Sequence, residues 1–349
     1  MTRVAIISDQ HFGCRKNSEI FHNYFLKFYN DVFFPYLKKE KITTVVDMGD
    51  TFDNPKNIDL SALYWAKNNY YDVLKDMGIT IHTLVGNHTR YYKNTNRINT
   101  VDLVLREYDN IITYSEPTEI YLDKLKVLLL PWITPENDSH SQLAIKNTDS
   151  EICMGHLELS GFKLNRNLVL QEGKSSSLFG KFKKVFSGHY HTRSDDGKIF
   201  YLGNPYQMFS IDEKDERGFT VFDTETLDHF HVDNPYELFI TYFYRENDDL
   251  NKIKNIDFSN KFVTLIVKQK TDEKLFNKFL KKLYEKNMHE LKIIEDLTTK
   301  VSEFNEEEFE SEDTFTLLNN YIDGDEELSL DKNKLKTLLY DVYKETYSE

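Results

Sequence analysis

Asp9, His11, Asp50, Asn87, His88, His156, His189 and His191 are oxygen and nitrogen donors, and each follows or ends a short apolar run. Val4-Ala5-Ile6-Ile7 leads to Asp9, Val45-Val46 to Gly49-Asp50, and Thr83-Leu84-Val85 to Gly86-Asn87-His88. Ile152-Cys153-Met154 leads to Gly155-His156, and Val185-Phe186 to Gly188-His189. Carboxylate, amide and imidazole without thiolate suit manganese or iron better than magnesium, with zinc also open. A carboxylate has two oxygens and can bridge two cations roughly 3.5–4 Å apart, the arrangement of two-metal phosphoester hydrolysis. Asp50 is the expected bridge. In an extended segment residues two apart share a side, so Asp9 with His11 and His189 with His191 are each expected to grip one ion. A single histidine is more often a satisfied polar residue of core or surface. Five glycine-linked motifs in one chain favour a metal centre.

Buried strands ending in glycine-marked turns would bring these residues together. Strand signals at residues 3–8, 43–47 and 80–85 alternate with helical signals at 19–38 and 59–77, which argues for an α/β fold with parallel pairs. A further helix is expected at 97–106. Short strands at 111–114, 125–130, 152–154 and 219–222 then dominate, and helices become sparse between 110 and 235. A mixed β-sandwich flanked by helices fits better than a doubly wound sheet. After the turn signal Asn234-Pro235, strands at 239–244, 262–268 and 289–294 with a helix at 273–286 describe a small α+β module. Residues 302–313 are largely acidic and read as a solvated linker. Beyond it, Phe315, Leu318 and Ile322 form one amphipathic stripe, and Leu335, Leu338, Leu339, Val342 and Tyr343 another. Two such helices cannot bury both stripes alone, which favours partner binding over docking back.

At 349 residues and 40% hydrophobic composition the chain can build one large domain and one or two small ones. No stretch has the length of a membrane span, and Met1 leads directly into a strand without a signal core, so a cytoplasmic protein is expected. Cys14 and Cys153 are expected as buried free thiols. The net charge of −14 is by itself unfavourable for a protein acting on nucleic acid. Residues 301–349, however, hold fifteen acidic and four basic groups, leaving the body near neutral. Bound divalent cations would offset carboxylates at the site, so an anionic substrate is compatible. Gly173-Lys174-Ser175 lacks the glycine five positions earlier that a phosphate-binding loop needs, since residue 168 is Leu.

Asp9-Gln10-His11, Gly49-Asp50-Thr51-Phe52-Asp53, Gly86-Asn87-His88, Gly155-His156 and Gly188-His189-Tyr190-His191 resemble, in order, the motifs of calcineurin-like metallophosphoesterases. The Phe52-Asp53 ending is similar to the SbcD family of DNA double-strand-break exonuclease subunits. Leu130-Pro131-Trp132 and Arg217-Gly218-Phe219 resemble in particular the recombination endonuclease subunits of T-even-type phages. The resemblance runs from residue 1 to the C-terminal helices. It implies one Mn2+ held by Asp9, His11, Asp50 and His191 and a second held by Asp50, Asn87, His156 and His189, with Mg2+ or Fe2+ as substitutes. His88 would be the catalytic side chain, with Asp53 supporting the site. The implied activity is 3′ to 5′ exonuclease action on double-stranded DNA, with single-strand endonuclease activity also open. The implied domains are a nuclease domain at 1–234, a DNA-binding cap at 235–300, an acidic linker at 301–313 and a helical segment at 314–349. That segment would bind an SbcC-type coiled-coil ATPase. Helices near 59–77 and 97–106 would pair two copies as a homodimer, in the host cytoplasm if the protein is phage-encoded. Candidate contacts to DNA ends are Arg90, Lys93, Arg97 and Arg193, with Lys163, Arg166, Lys174, Lys181, Lys183 and Lys184 in reserve. The family usually has Asp after Gly-Asn-His, and this chain has Thr89, so another acid such as Asp53 is expected to support His88. The competing readings are another calcineurin-like phosphoesterase and a weakly catalytic DNA-binding scaffold.

Overall fold

The computed structural model describes residues 3–54, 56–166, 168–246 and 252–295, together with residues 332, 335 and 336. Its contacts divide into two units, one of Met1–Met208, Asp215–Pro235 and Asp313–Glu349, the other of Phe209–Lys214 and Tyr236–Glu312.

In the first unit, β1 (Arg3–Ile7), β2 (Thr44–Asp47), β3 (Thr80–Leu84) and β4 (Ile111–Tyr114) run parallel. A second sheet contains β5 (Thr118–Leu122), β6 (Leu125–Leu130) and β7 (Ile152–His156). A small hairpin of β8 (Lys163–Asn165) and β9 (Leu168–Val169) intervenes before that sheet resumes with β10 (Lys184–Gly188), β11 (Ser194–Asp195) and β12 (Ile199–Tyr201). The chain then returns through β13 (Gly218–Asp223), antiparallel to β1, and β14 (His229–Asp233). The resulting orders are β14-β13-β1-β2-β3-β4 and β11-β12-β10-β7-β6-β5. Apolar side chains of both sheets meet in one core, including Val4, Ile6, Val46, Leu84, Leu129, Met154, Phe186 and Phe222. This is the mixed sandwich that the alternating signals describe.

Helices cover both outer faces. α1 runs through Glu19–Phe28, a π-type turn at Tyr29–Phe33, and Phe34–Glu40. α2 repeats the pattern through Leu60–Ala66, a π-type turn at Lys67–Tyr71, and Asp72–Asp76. An aromatic layer forms where Phe25, Phe28, Tyr29, Phe33 and Tyr70 join Tyr206 and Phe219, all fully buried or nearly so. Each such ring contributes on the order of 2 kcal/mol by burial. The helix expected at 97–106 is only α3, Thr100–Val104. Asn99 is in extended conformation and its side chain accepts from the Asp102 N–H, so the helix starts after it. α4 (Asp138–Asn147) lies where helices were expected to be sparse; it buries only Ser141 and Ile145, too weak a pattern to announce it. Cys14 and Cys153 are free and buried.

The second unit is a parallel three-stranded sheet of β15 (Phe239–Tyr244), β16 (Phe262–Val267) and β17 (Glu290–Glu295), packed on α5 (Glu273–Tyr284). Asp272 caps α5, and Phe276, Phe279 and Leu283 enter a core with Tyr244, Phe258 and Leu265. Among the described residues no helix is long and apolar enough to cross a membrane. Phe315, Leu318, Ile322, Leu338, Leu339 and Val342, like residues 301–313, lie outside the described residues. Leu335 is helical and half-buried.

Candidate metal centre

Parallel pairing places the carboxyl ends of β1, β2 and β3 side by side and, in the other sheet, aligns Gly188 of β10 with His156 of β7. Ligand-bearing turns in open parallel sheets gather at that edge. Beyond β1 and β2 the chain continues as a ladder: the N–H groups of Asp9, His11 and Phe12 donate to the carbonyls of Gly49, Asp50 and Thr51 at 2.8–3.0 Å.

Asp9 and His11 are not in an extended segment, as their spacing suggested. Both adopt positive φ, 52° and 47°, as do Asp50 at 53° and His189 at 87°. Each costs on the order of 1 kcal/mol or more in a residue with a Cβ, and persists only where the surroundings over-determine it. The common side for Asp9 and His11 therefore comes from two left-handed turns rather than from strand pleating. Gly86 fits for a related reason: a Cβ there would come within 2.1 Å of Asp50 Oδ1.

Three groups of donors converge. Ligand atoms of Asp9, His11 and His191, of Asp50, His156 and His189, and of His11, Asp53 and His88 lie within 4.8 Å of one another in each group. Asn87 Oδ1 is 3.0 Å from His156 Nε2. All eight expected donors thus surround one site, and Asp53 joins them.

The hydrogen bonds test whether cations fit. His156 Nδ1 lies 2.8 Å from the carbonyl of Met48, which can only accept, so Nδ1 carries the proton. Nε2 then faces Asp50 Oδ2 and Asn87 Oδ1, each 3.0 Å away, and on giving up its proton would offer its lone pair to a cation there. His11 Nδ1 is likewise taken by Asp53 Oδ1 at 3.0 Å, leaving Nε2 facing His191 Nε2 at 3.2 Å. Electron-rich atoms aimed at one another in this way, with the opposite ring nitrogen fixed by an oxygen, suit divalent cations. Burial opposes protonation of His156, but the Asp50 carboxylate outweighs it and raises its pKa to about 9. Asp50 itself is lowered, its desolvation overcome by His156 and His88. The site attracts positive charge.

His88 Nδ1 lies 2.7 Å from the main-chain carbonyl of Asp53, while the Asp53 carboxylate serves His11. The expectation that an acid supports His88 is therefore corrected: the support is a carbonyl. Thr89 is fully buried, and its hydroxyl accepts from Gly86 N–H at 3.0 Å and lies 3.2 Å from Gly86 O. It braces the Gly86-Asn87-His88 turn.

Candidate DNA contacts are placed variously. Arg90 stacks over Trp132, whose ring centroid is 4.8 Å from that of His189. Lys93 is exposed. Arg97 and Arg193 pair with Glu136 and Glu216. Arg166, Lys174 and Lys183 pair with Asp215, Asp138 and Glu151.

Sequence reading gave no role to Asp47 or to Gln10, which was quoted only within a motif. Asp47 is fully buried, and burial raises its pKa to about 7 despite hydrogen bonds from Thr51 and Gly49. A carboxylate closing the buried run Val45-Val46 was the available signal. Arg217 was quoted only as part of a motif; it donates to the His191 carbonyl at 2.6 Å and pairs with Asp215.

No family model matches the chain. Exonuclease subunit 1 of Enterobacteria phage T4 is 34% identical over 291 residues, 83% of this chain and 83% of that protein. A dimetal phosphatase from Danio rerio superposes with a TM-score of 0.38 at 11% identity, over 63% of this chain and 91% of its own. An archaeal phosphodiesterase gives 0.35 at 15%, over 67% and 100%, and a purple acid phosphatase from yellow lupin (Lupinus luteus) 0.35 at 12%, over 55% and 38%. These structural likenesses are too slight to bear on function. The sequence identity and its extent show that the chain belongs to the family of phage T4 exonuclease subunit 1.

Proposed function

We propose that the protein is a metal-dependent phosphodiester hydrolase, a manganese-dependent nuclease that removes nucleotides from the 3′ ends of double-stranded DNA. The observation that carries this reading is the convergence of carboxylates, an amide and imidazoles from both sheets, with their outer ring nitrogens fixed by oxygens. Asp9, His11, Asp50 and His191 would hold one ion, and Asp50, Asn87, His156 and His189 the other. Two divalent ions there would supply charge neutralisation for the phosphate and acidity for a water nucleophile. The Asp53 carbonyl fixes the proton on His88 Nδ1, which leaves Nε2 as the atom that exchanges a proton with the leaving 3′ oxygen. Asp53 orients His11 through its carboxylate, so it serves both histidines from one residue. Trp132 walls the side of His156 and His189, with ring centroids 5.9 and 4.8 Å away. Arg90 and Lys93 offer positive charge for the DNA backbone.

The family relative is named a subunit, which supports an assembly role. The partner in this reading is an SbcC-type ATPase engaged through residues 314–349, and the α+β unit is a DNA-binding cap. Digestion of a 3′-labelled duplex with Mn2+, compared with His88→Asn and with chelator, tests the activity. Early release of the 3′ label, lost in both controls, is the expected result. Binding without hydrolysis would favour a scaffold, and hydrolysis of small phosphoesters alone another phosphoesterase.

A further inference from the structure

Between the two left-handed residues Asp9 and His11 lies Gln10, whose side chain points the other way, into the protein, and is fully buried. Its amide nitrogen, amide oxygen and main-chain carbonyl are each engaged by a group distant in sequence. Gln10 Nε2 donates to Asp47 Oδ2 at 3.1 Å, Tyr29 Oη donates to Gln10 Oε1 at 2.6 Å, and Tyr206 Oη donates to the Gln10 carbonyl at 2.6 Å. Asp47 in turn accepts from the Gly49 N–H at 3.1 Å and from the Thr51 hydroxyl at 2.6 Å, on either side of Asp50. Tyr29 lies in the π-type turn of α1. Such turns interrupt a helix at a cost and are frequent beside functional sites.

We infer that Gln10 and Asp47 are positioning residues, a buried amide–carboxylate pair that sets the separation of the turn bearing Asp9 and His11 from the turn bearing Asp50. The inference rests on the metal centre proposed above. The ladder of main-chain bonds aligns the two turns along their length, but it leaves the rotation of each turn open, and the direction of Asp9 and His11 toward the donor cluster requires the opposite direction of Gln10. Asp47 reads that direction from the other turn. Its own hydrogen bonds bracket Asp50, so a displacement of Gln10 moves the expected bridge between the ions relative to Asp9 and His11. The consequence falls on how the two ions are held as a pair, more than on whether the fold forms.

An exchange of partners isolates this role. Gln10→Glu places two buried carboxylates against each other; adding Asp47→Asn restores donor to acceptor and the original total charge, and the Thr51 hydroxyl can turn to accept. Full-length protein titrated with Mn2+ and followed by electron paramagnetic resonance reports both stoichiometry and spin coupling between the ions. Gln10→Glu is expected to weaken the second Mn2+ by about tenfold or more and to reduce the coupled signal. The double variant is expected to recover to within about threefold of wild type, a recovery that a merely space-filling pair would not give. Wild-type behaviour of Gln10→Glu, or failure of Asp47→Asn to restore it, would overturn the inference. If Gln10→Glu does not fold, Tyr29→Phe decides, since it deletes one hydroxyl from Gln10 Oε1: weaker coupling supports the pair, an unchanged signal overturns it. A wild-type protein that binds fewer than two Mn2+ would instead remove the metal centre itself, and this inference with it.

Discussion

Thr89 carries its hydroxyl into the turn it belongs to, away from the ring of His88, whose Nδ1 is already taken by a carbonyl. A carboxylate placed there would lose a donor toward Gly86 O and add a buried charge. Thr89→Asp is therefore expected to destabilise the protein by about 1–3 kcal/mol and to slow single-turnover cleavage. A faster enzyme would mean that the carboxylate reaches His88 and that the carbonyl is a poor substitute. The eight donors were legible in the sequence because their chemistry resides in residue type and in the glycines beside them. Gln10 and Asp47 were not, because their pairing depends on register across 37 residues and on two tyrosines brought in by other elements. Nor could spacing reveal that left-handed backbone, rather than pleating, turns Asp9 and His11 to one side.

The apolar runs of β1, β2, β3, β6, β7 and β10 were readable as strands, since strands buried on both faces need little polar alternation. β14 was not, because an edge strand reading His229-Phe230-His231-Val232-Asp233 resembles a polar loop. That strand carries a pH-sensitive group. Burial, with Arg193 adding to it, lowers His231 to about 4, against the weaker opposing pull of the Arg217 main chain and of Asp233, whose Oδ1 lies 3.6 Å from Nε2. The unfolded chain binds a proton near pH 6.5 and the folded one does not until about pH 4, so this residue's support is complete above 6.5 and is lost as pH falls toward 4. The loss amounts to about 2–3 kcal/mol. Urea unfolding at pH 7.5 and 4.5 should show a smaller difference for His231→Phe than for wild type; equal differences would place the pH sensitivity elsewhere.

Across the whole molecule, large apolar side chains are exposed on the surface of the first unit. Leu60 and Tyr64, one turn apart on α2, are 80% and 72% exposed, and Leu103 beside them in type is 61% exposed. Tyr71, Leu74, Val101 and Leu105 of the same expected stripes are buried in the core. The surface that the resemblance implied for a homodimer is thus reduced to the outer residues of α2 and to Ile98 and Leu103. Exposed apolar groups clustered on one helix face mark interaction sites. Leu60→Asp with Tyr64→Asp should yield a monomer by sedimentation while leaving Mn2+ binding unchanged; a retained dimer would assign pairing to another surface.

The donors come from two sheets, Asp9, His11, Asp50 and Asn87 from the ends of one and His156, His189 and His191 from the ends of the other. The His189 N–H closes on the Asp9 carboxylate across the boundary. A nascent chain that has made only β1 to β4 therefore holds only part of the donor set, and the histidines of the second sheet arrive from residues synthesised later. Reactivity is postponed until the sandwich shuts, so the architecture itself keeps a half-made chain from attacking nucleic acid.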